Sequence, residues 1–532
     1  MRDRFRRLED DRFDAIVVGA GTGGLTAAAL LARRGLKVLV IDQHYVAGGN
    51  ATVFRRRGYQ FDVGLHYVGG CDRGGLLPRV LRAAGAVDLE FEEMDPDGFD
   101  TLIFPDFTFR VPKGIGAFRD RLREYFPREE KGIDRYVKLL RQLDGLVQFK
   151  SPLATTLAAA RSLMLIRWRN ATFGQFLDSC TSDERLKAVL SAQHGNYAQP
   201  PSRASLLIGA GICLHYLQGA YFPRGGGQVI SDRLASAIED YGGKILLCAR
   251  AERILVENGK VAGVELNNKW VGRRVIRAPI VISNADLKRT MAELVGARHL
   301  QPETIRRVEN FEMSPALGAV YLGIRRDLKA EGHPRTNYFV FPGYDHERAY
   351  AAAARGEFPE RPLAYISIAS LKDPANVRLA PAGITNLQIL SIVPSQPAAW
   401  GVSEAEVRDG TYRRSEAYCQ SKQLFARALI ETAERAIPGI GRQVAYQEVA
   451  TPLTQSRFTG STGGTSYGIA LTPAQFLSRR PGPRTEIGGL LLCGASCRTG
   501  HGIMGVALSG LMAAAEVVGY GLVREVMTAS TD

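Results

Sequence analysis

Short apolar runs alternate with glycine-rich turns along this chain, and the alternation is clearest near its start. Residues 13–18 form an apolar run of strand length. They feed Gly19-x-Gly21-x-x-Gly24, which opens a helix of small residues ending near Gly35. A second apolar run, 37–41, closes on Asp42. Strand, glycine turn, helix, strand and acid in this order predict a βαβ unit that grips a dinucleotide. Gly19 allows the tight turn, Gly21 lets a pyrophosphate approach the backbone, and Gly24 lets helix and strand pack closely. The pyrophosphate rests on free N–H groups at the helix start, and Asp42 accepts hydrogen bonds from a ribose. A carboxylate there argues against a 2′-phosphate, leaving FAD or NAD. Gly48-Gly49, a second point of close approach, tips the choice to FAD.

Further along, Phe54 and residues 59–61 alternate as a short hairpin, broken into a loop by Gly64, Gly69 and Gly70 around His66 and Tyr67. Residues 76–150 mix a short helix at 77–84, strand-like pieces at 89–91 and 101–111, and helices near 116–126 and 131–147. Residues 172–220 read as helical, punctuated at Pro200-Pro201. Tyr221 then leads through Gly225-Gly226-Gly227 into a helix ending at Asp240, followed by strands turned at Asn258-Gly259 and a buried strand at 278–283. From 305 to 480 the pattern is α+β, with strands at 316–324, 337–341 and 363–369 and a long helix at 405–435. A buried strand at 490–493, a glycine-rich loop and a long small-residue helix close the chain. The expected fold is therefore α/β: a discontinuous Rossmann-like domain (1–105, 222–300, 483–532) with an inserted α+β substrate domain (106–221, 301–482).

The 532 residues suffice for two sizeable cores. A net charge of +14 admits an anionic membrane, nucleic acid or an acidic ligand. The arginines are scattered and no nucleic-acid signature accompanies them, so a membrane surface ranks above nucleic acid. Segment 152–170 has no acidic residue, a broad apolar surface, and Arg161, Arg167, Trp168 and Arg169 at its polar positions. It suits a helix lying in a headgroup layer, as well as an ordinary surface helix. Seven dispersed cysteines without metal-ligand spacing fit reduced thiols in a cytoplasm. No run suits a spanning helix. The expected location is cytoplasmic, peripheral on the inner face of the membrane.

The blocks GAGTGGLTAAALLARRGLKVLVIDQ, GYQFDVGLHYVGG, YFPRGGGQVISDRLASAIEDYGGKI, VISNAD and GASCRTGHGIMGVALSG together resemble the phytoene desaturase superfamily of flavoproteins. GLHYVGG, HGNYAQPPSRAS and HYLQGAYFPRGGG look most like its retinol saturase and carotenoid isomerase branch. The resemblance covers nearly the whole chain. It implies bound FAD, an apolar polyene or isoprenoid substrate and peripheral membrane association. By position, Gly19, Gly21, Gly23, Gly24, Asp42, Gly48 and Gly49 would hold the ADP half. The loop with Gly64, His66 and Tyr67 would lie beside the isoalloxazine. Gly494, Gly502, Met504 and Gly505 would sit at the ribityl and pyrimidine end. The family usually carries Glu where Asp42 stands. The loop with Cys493, Cys497 and His501 reads closer to desaturases than to saturases, which leaves the redox direction open.

A flavin moves a hydride, and saturation also needs a proton donor. His66, Tyr67, Tyr221 and His501 are the candidates because they stand in the glycine-rich blocks. NAD(P)H or another carrier would exchange electrons with the flavin. The leading expectation is an FAD-dependent oxidoreductase saturating or desaturating a carbon–carbon double bond. The rivals are a reduced-flavin isomerase, a non-enzymatic lipid carrier resembling prenyl-protein escort proteins, and amine oxidation.

Overall fold

The computed structural model describes residue 4 and residues 8–72, 74–147 and 163–529. Its organising sheet is wholly parallel, in the order Lys244–Leu246, Val38–Ile41, Ala15–Val18, Ile280–Ser283, Leu490–Leu492. Strands from three distant stretches thus form one layer. Ala15–Val18 is central and buried throughout, which explains an apolar run without alternation. The helix Thr22–Ala32 follows, with every residue buried. Gly24 is the reason it lies so close to the sheet: a Cβ there would stand 2.2 Å from the Gly19 carbonyl oxygen and 3.1 Å from a Val17 methyl. The helix Gly502–Val518 packs on its other side, where a Cβ on Gly510 would meet the Gly23 carbonyl at 2.2 Å. A three-stranded meander, Ala249–Glu257, Lys260–Asn268 and Gly272–Arg277, completes this half.

The second half is built on a seven-stranded sheet, in the order Val444–Ala450, Ala316–Ile324, Thr385–Val393, Ala364–Ser367, Asn337–Val340, Asp100–Ile103, Thr108–Val111. Several features depart from the sequence reading, among them the strands Thr385–Val393 and Val444–Ala450, which the pattern did not mark. The strand expected over 101–111 is a hairpin, Asp100–Ile103 with Thr108–Val111. A boundary at residue 105 would cut that hairpin, so the division between the halves moves ahead of Asp100. Tyr221 lies in a strand, Ala220–Pro223, paired with Val68–Gly69 and Phe91–Glu93. The helix expected over 405–435 is two, Glu404–Asp409 and Glu416–Ala433, because Gly410 adopts φ +71° and ends the first.

Alternation on this sheet decides what faces what. Val320, Leu322, Leu387 and Ile389 point to one side, into a core shared with Phe425 and Leu429 of the helix Glu416–Ala433. The opposite face carries two rows. One runs Phe339, Tyr365, Leu390, Ala319, Ala450 in direct register. Two residues along each strand runs the other: Asp100, Asn337, Ser367, Gln388, Tyr321, Glu448. An apolar row therefore lies beside a polar one, both looking toward the parallel sheet.

Residues 152–162 of the segment proposed to lie in a headgroup layer fall outside the described residues. Its described end is the helix Leu163–Trp168, with Ile166 and Arg167 exposed. Trp168 packs edge-on against Phe176 at 5.4 Å, so the protein itself holds this ring. No helix among the described residues is long and apolar enough to cross a membrane.

Candidate active site

A cavity of about 720 Å³ lies between the carboxyl ends of the parallel strands and the two-row face of the larger sheet. Its lining includes Gly19, Gly21, Gly23, Asp42, Gly48, Gly49, Gly64, His66, Tyr67, Gly494, His501, Gly502, Met504 and Gly505. Two expected residues are not on its wall. Gly24 is under the turn, where its role is close packing. Tyr221 is not among the lining residues, and Lys113 Nζ stands 6.0 Å from its ring. It is therefore not placed to protonate a substrate in this cavity.

The fingerprint end is shaped by close backbone approach. A Cβ on Gly49 would sit 3.0 Å from Gly21 Cα, and Gly48 donates its N–H to the Ala20 carbonyl at 2.7 Å. Asn284, at the end of the neighbouring strand, occupies the space that side chains at the glycines would need. Its amide would lie 2.7 Å from a Cβ on Gly21, 2.9 Å from one on Gly23 and 2.8 Å from one on Gly494. Asp42 accepts the Ala20 N–H at 2.6 Å and the His44 N–H at 2.7 Å. Burial raises its pKa, and these two amides oppose the shift. The carboxylate is thus fixed with lone pairs to spare for a diol. At the far end, His501 precedes the first turn of Gly502–Val518, whose open N–H groups line the cavity. These cradles at both ends suit a long dinucleotide lying across the domain.

The third glycine-rich turn serves a different purpose. Gly227 donates to Asp62 Oδ1 at 2.6 Å and Gly225 to Asp373 Oδ2 at 2.7 Å. The protein's own carboxylates take the amides that a phosphate would use.

The candidate acids differ sharply in circumstance. Both His66 ring nitrogens are buried with no hydrogen-bond partner among the described residues, and Gln388 stands beside the ring without completing one. Burial first, then the charge of Lys372, lowers its pKa to about 3, so near neutral pH the ring is uncharged. His501 donates Nε2–H to the Asn196 carbonyl at 2.8 Å, and burial lowers it to about 4. Neither histidine is a cationic acid. Tyr67 stacks on Tyr216 at 3.9 Å, accepts from Asn196 Nδ2 at 2.8 Å and donates to Asp100 Oδ2 at 3.1 Å.

Behind Tyr67 lies a polar network that the sequence reading missed. Asn337 donates to Asp100 Oδ1 at 2.9 Å, and Gln193 donates to Oδ2 at 2.9 Å. Lys372, fully buried, donates to the His66 carbonyl at 2.6 Å, Asn337 Oδ1 at 2.5 Å and Ser367 Oγ at 2.8 Å. Burial raises Asp100 and Asp62 to about 6 and lowers Lys372 to about 7, each held back by the opposite charges nearby. No local pattern marks Lys372, because its three acceptors come from residues 66, 337 and 367. Asn284 had a signal: it stands where the apolar run of VISNAD stops.

Parallel sheet, glycine cradles and a deep, partly apolar cavity define a Rossmann-type oxidoreductase with a dinucleotide site. Residues 17–84 match the family of NAD(P)-binding Rossmann-like domains. The chain is 30% identical over 482 residues to an all-trans-retinol 13,14-reductase of Danio rerio, spanning 87% of this chain and 78% of the relative. It is 29% identical over 524 residues to the chloroplastic prolycopene isomerase 1 of an Oncidium hybrid cultivar, spanning 96% and 84%. A solved oxidoreductase from Methanosarcina mazei shares the fold at 18% identity, with a TM-score of 0.60 over 93% of this chain and 98% of that one. The chain belongs to the family of the all-trans-retinol 13,14-reductases and prolycopene isomerases, and it is an enzyme of the oxidoreductase class.

Proposed function

We propose that this protein is an FAD-dependent oxidoreductase that saturates or desaturates a carbon–carbon double bond in an apolar polyene, a retinoid or carotenoid. The observation that carries the reading is the single cavity: it joins the dinucleotide cradles to the apolar row Phe339, Tyr365, Leu390, Ala319, Ala450. Ile208, Ile212, Leu317 and Ile392 extend that wall. Gly19, Gly21, Gly48 and Gly49 would hold the ADP half of FAD, with its pyrophosphate at the start of the first helix and its ribose on Asp42, and Gly494 and Gly502–Gly505 the ring end. Bound there, FAD supplies hydride transfer at its N5. The chain's own residues exclude water, align the polyene along the apolar row, and hold a proton. Of the four candidate acids, Tyr67 suits that last role, since the residue lines the cavity and its hydroxyl is linked through Asp100 and Asn337 to Lys372. Attachment to an anionic membrane, through Ile166, Arg167 and the preceding stretch, is part of the same proposal.

The test is to reduce the purified yellow protein without oxygen and supply all-trans-retinol or a poly-cis carotene. Product carrying two more hydrogens identifies saturation, and two fewer, formed by the oxidised enzyme, identifies desaturation. A product of unchanged mass supports the second reading, isomerisation, which the 29% identity to a prolycopene isomerase favours. A preparation without a flavin spectrum, and unable to take up added FAD, refutes both.

A further inference from the structure

Arg480 is a fully buried charge with no acidic partner. Its side chain has no exposed surface, and its guanidinium donates only to main-chain carbonyls. Nε reaches Cys497 O at 3.0 Å; Nη1 reaches Ile469 O at 3.0 Å, Ala470 O at 3.2 Å and Gln475 O at 3.4 Å; Nη2 reaches Ala495 O at 2.7 Å. The ionisable groups near enough to feel its charge include the Cys497 thiol and the His501 ring, and neither is a carboxylate. Burying an unpaired cation is costly, and neutral groups could tie these loops together without that cost. The charge itself therefore calls for an explanation.

The carbonyls it grips supply one. Ala495 and Ser496 are part-exposed and line the cavity directly after Gly494. In a trans peptide the N–H points opposite to the C=O. A guanidinium on Ala495 O thus lies at the back of the peptide whose front is the Ser496 N–H, which makes no hydrogen bond among the described residues. The cation, itself out of contact with water, polarises that unit. The open start of the helix Gly502–Val518 adds its positive end on the same loop.

We propose that Arg480 tunes the dinucleotide site electrostatically: relayed through the 495–496 peptide, its charge makes this wall favour the reduced, electron-rich form of the bound flavin over the oxidised form. Arg480 is a positioning residue that touches neither cofactor nor substrate, and the inference rests on the flavin reading above. The experiment measures dissociation constants of oxidised and reduced FAD, with the two-electron reduction potential, for wild type, Arg480→Gln, Arg480→Lys and Cys497→Asp. Arg480→Gln should lose at least tenfold in the preference for reduced over oxidised flavin, a fall of about 30 mV for a two-electron couple. Arg480→Lys, which keeps the charge, should keep the preference. Cys497→Asp places a carboxylate beside an intact arginine and should lower the potential in the same direction, so the proposal is testable even where Arg480→Gln fails to fold. Equal weakening of both redox forms in Arg480→Gln, or an unchanged potential in Cys497→Asp, would overturn it. A wild type that binds no flavin defeats the functional reading instead.

Discussion

Lys372→Met removes the one cation of the polar network behind Tyr67, and its consequence should depend on pH. In the folded protein this ammonium is held at about 7, against 10.5 when free in water, because burial disfavours its charge. At about 1.4 kcal/mol per pH unit, folding with the lysine charged carries a penalty of the order of 5 kcal/mol. Below about pH 7 the lysine is protonated both folded and unfolded, so the penalty is fully present. As pH rises from 7 toward 10.5 the folded form is neutral while the unfolded form still binds its proton, and the penalty fades. Wild type should therefore gain stability over the methionine variant across that window. The carboxylates act in the same sense: without the lysine charge, Asp62 and Asp100 are harder to ionise, so raising the pH through 6 destabilises the variant further. The variant also leaves the His66 carbonyl, Asn337 Oδ1 and Ser367 Oγ without the donor they have when the lysine is protonated, at about 1–3 kcal/mol each. Urea midpoints of both proteins, followed by tryptophan fluorescence between about pH 6.5 and about pH 9.5, measure the gap. It should widen by several kcal/mol toward alkaline pH. A gap that is constant, or that narrows, refutes the assignment of a depressed lysine.

Gly21→Val should abolish retention of the dinucleotide, since even a Cβ there lies 2.7 Å from Asn284 Nδ2; a fully yellow variant would contradict the cradle. Ala319→Trp, on the apolar row, should leave the flavin spectrum intact while cutting kcat/KM for a polyene at least tenfold, and unimpaired turnover would remove the row from the substrate path. Tyr221→Phe should leave turnover within about twofold of wild type, because the hydroxyl is off the cavity wall. Replacing Ile166 and Arg167 with Ser should reduce co-sedimentation with anionic vesicles and spare flavin binding. Unchanged sedimentation would end the membrane proposal for this helix.

Local physics made the dinucleotide half legible. A buried parallel strand must be an unbroken apolar run, a pyrophosphate cradle needs glycine, and a helix squeezed between sheet and neighbour needs small residues. All three constraints act within about thirty residues, so 13–42 announced its structure, and the same logic exposed the loop before Gly502–Val518. The larger sheet was harder to see because Thr385–Val393 is buried on both faces yet keeps Asn386, Gln388 and Ser391. Those polar residues look like surface until the cavity and their partners are present. Tyr221 was misplaced because its sequence neighbours are glycines, while its orientation is set by pairing with residues 68–69 and 91–93. Only the tertiary structure decided which groups carry charge inside the protein. Lys372 and Arg480 have ordinary sequence surroundings; burial lowers their proton affinities, and the carbonyls that hold their charged heads in place come largely from distant segments.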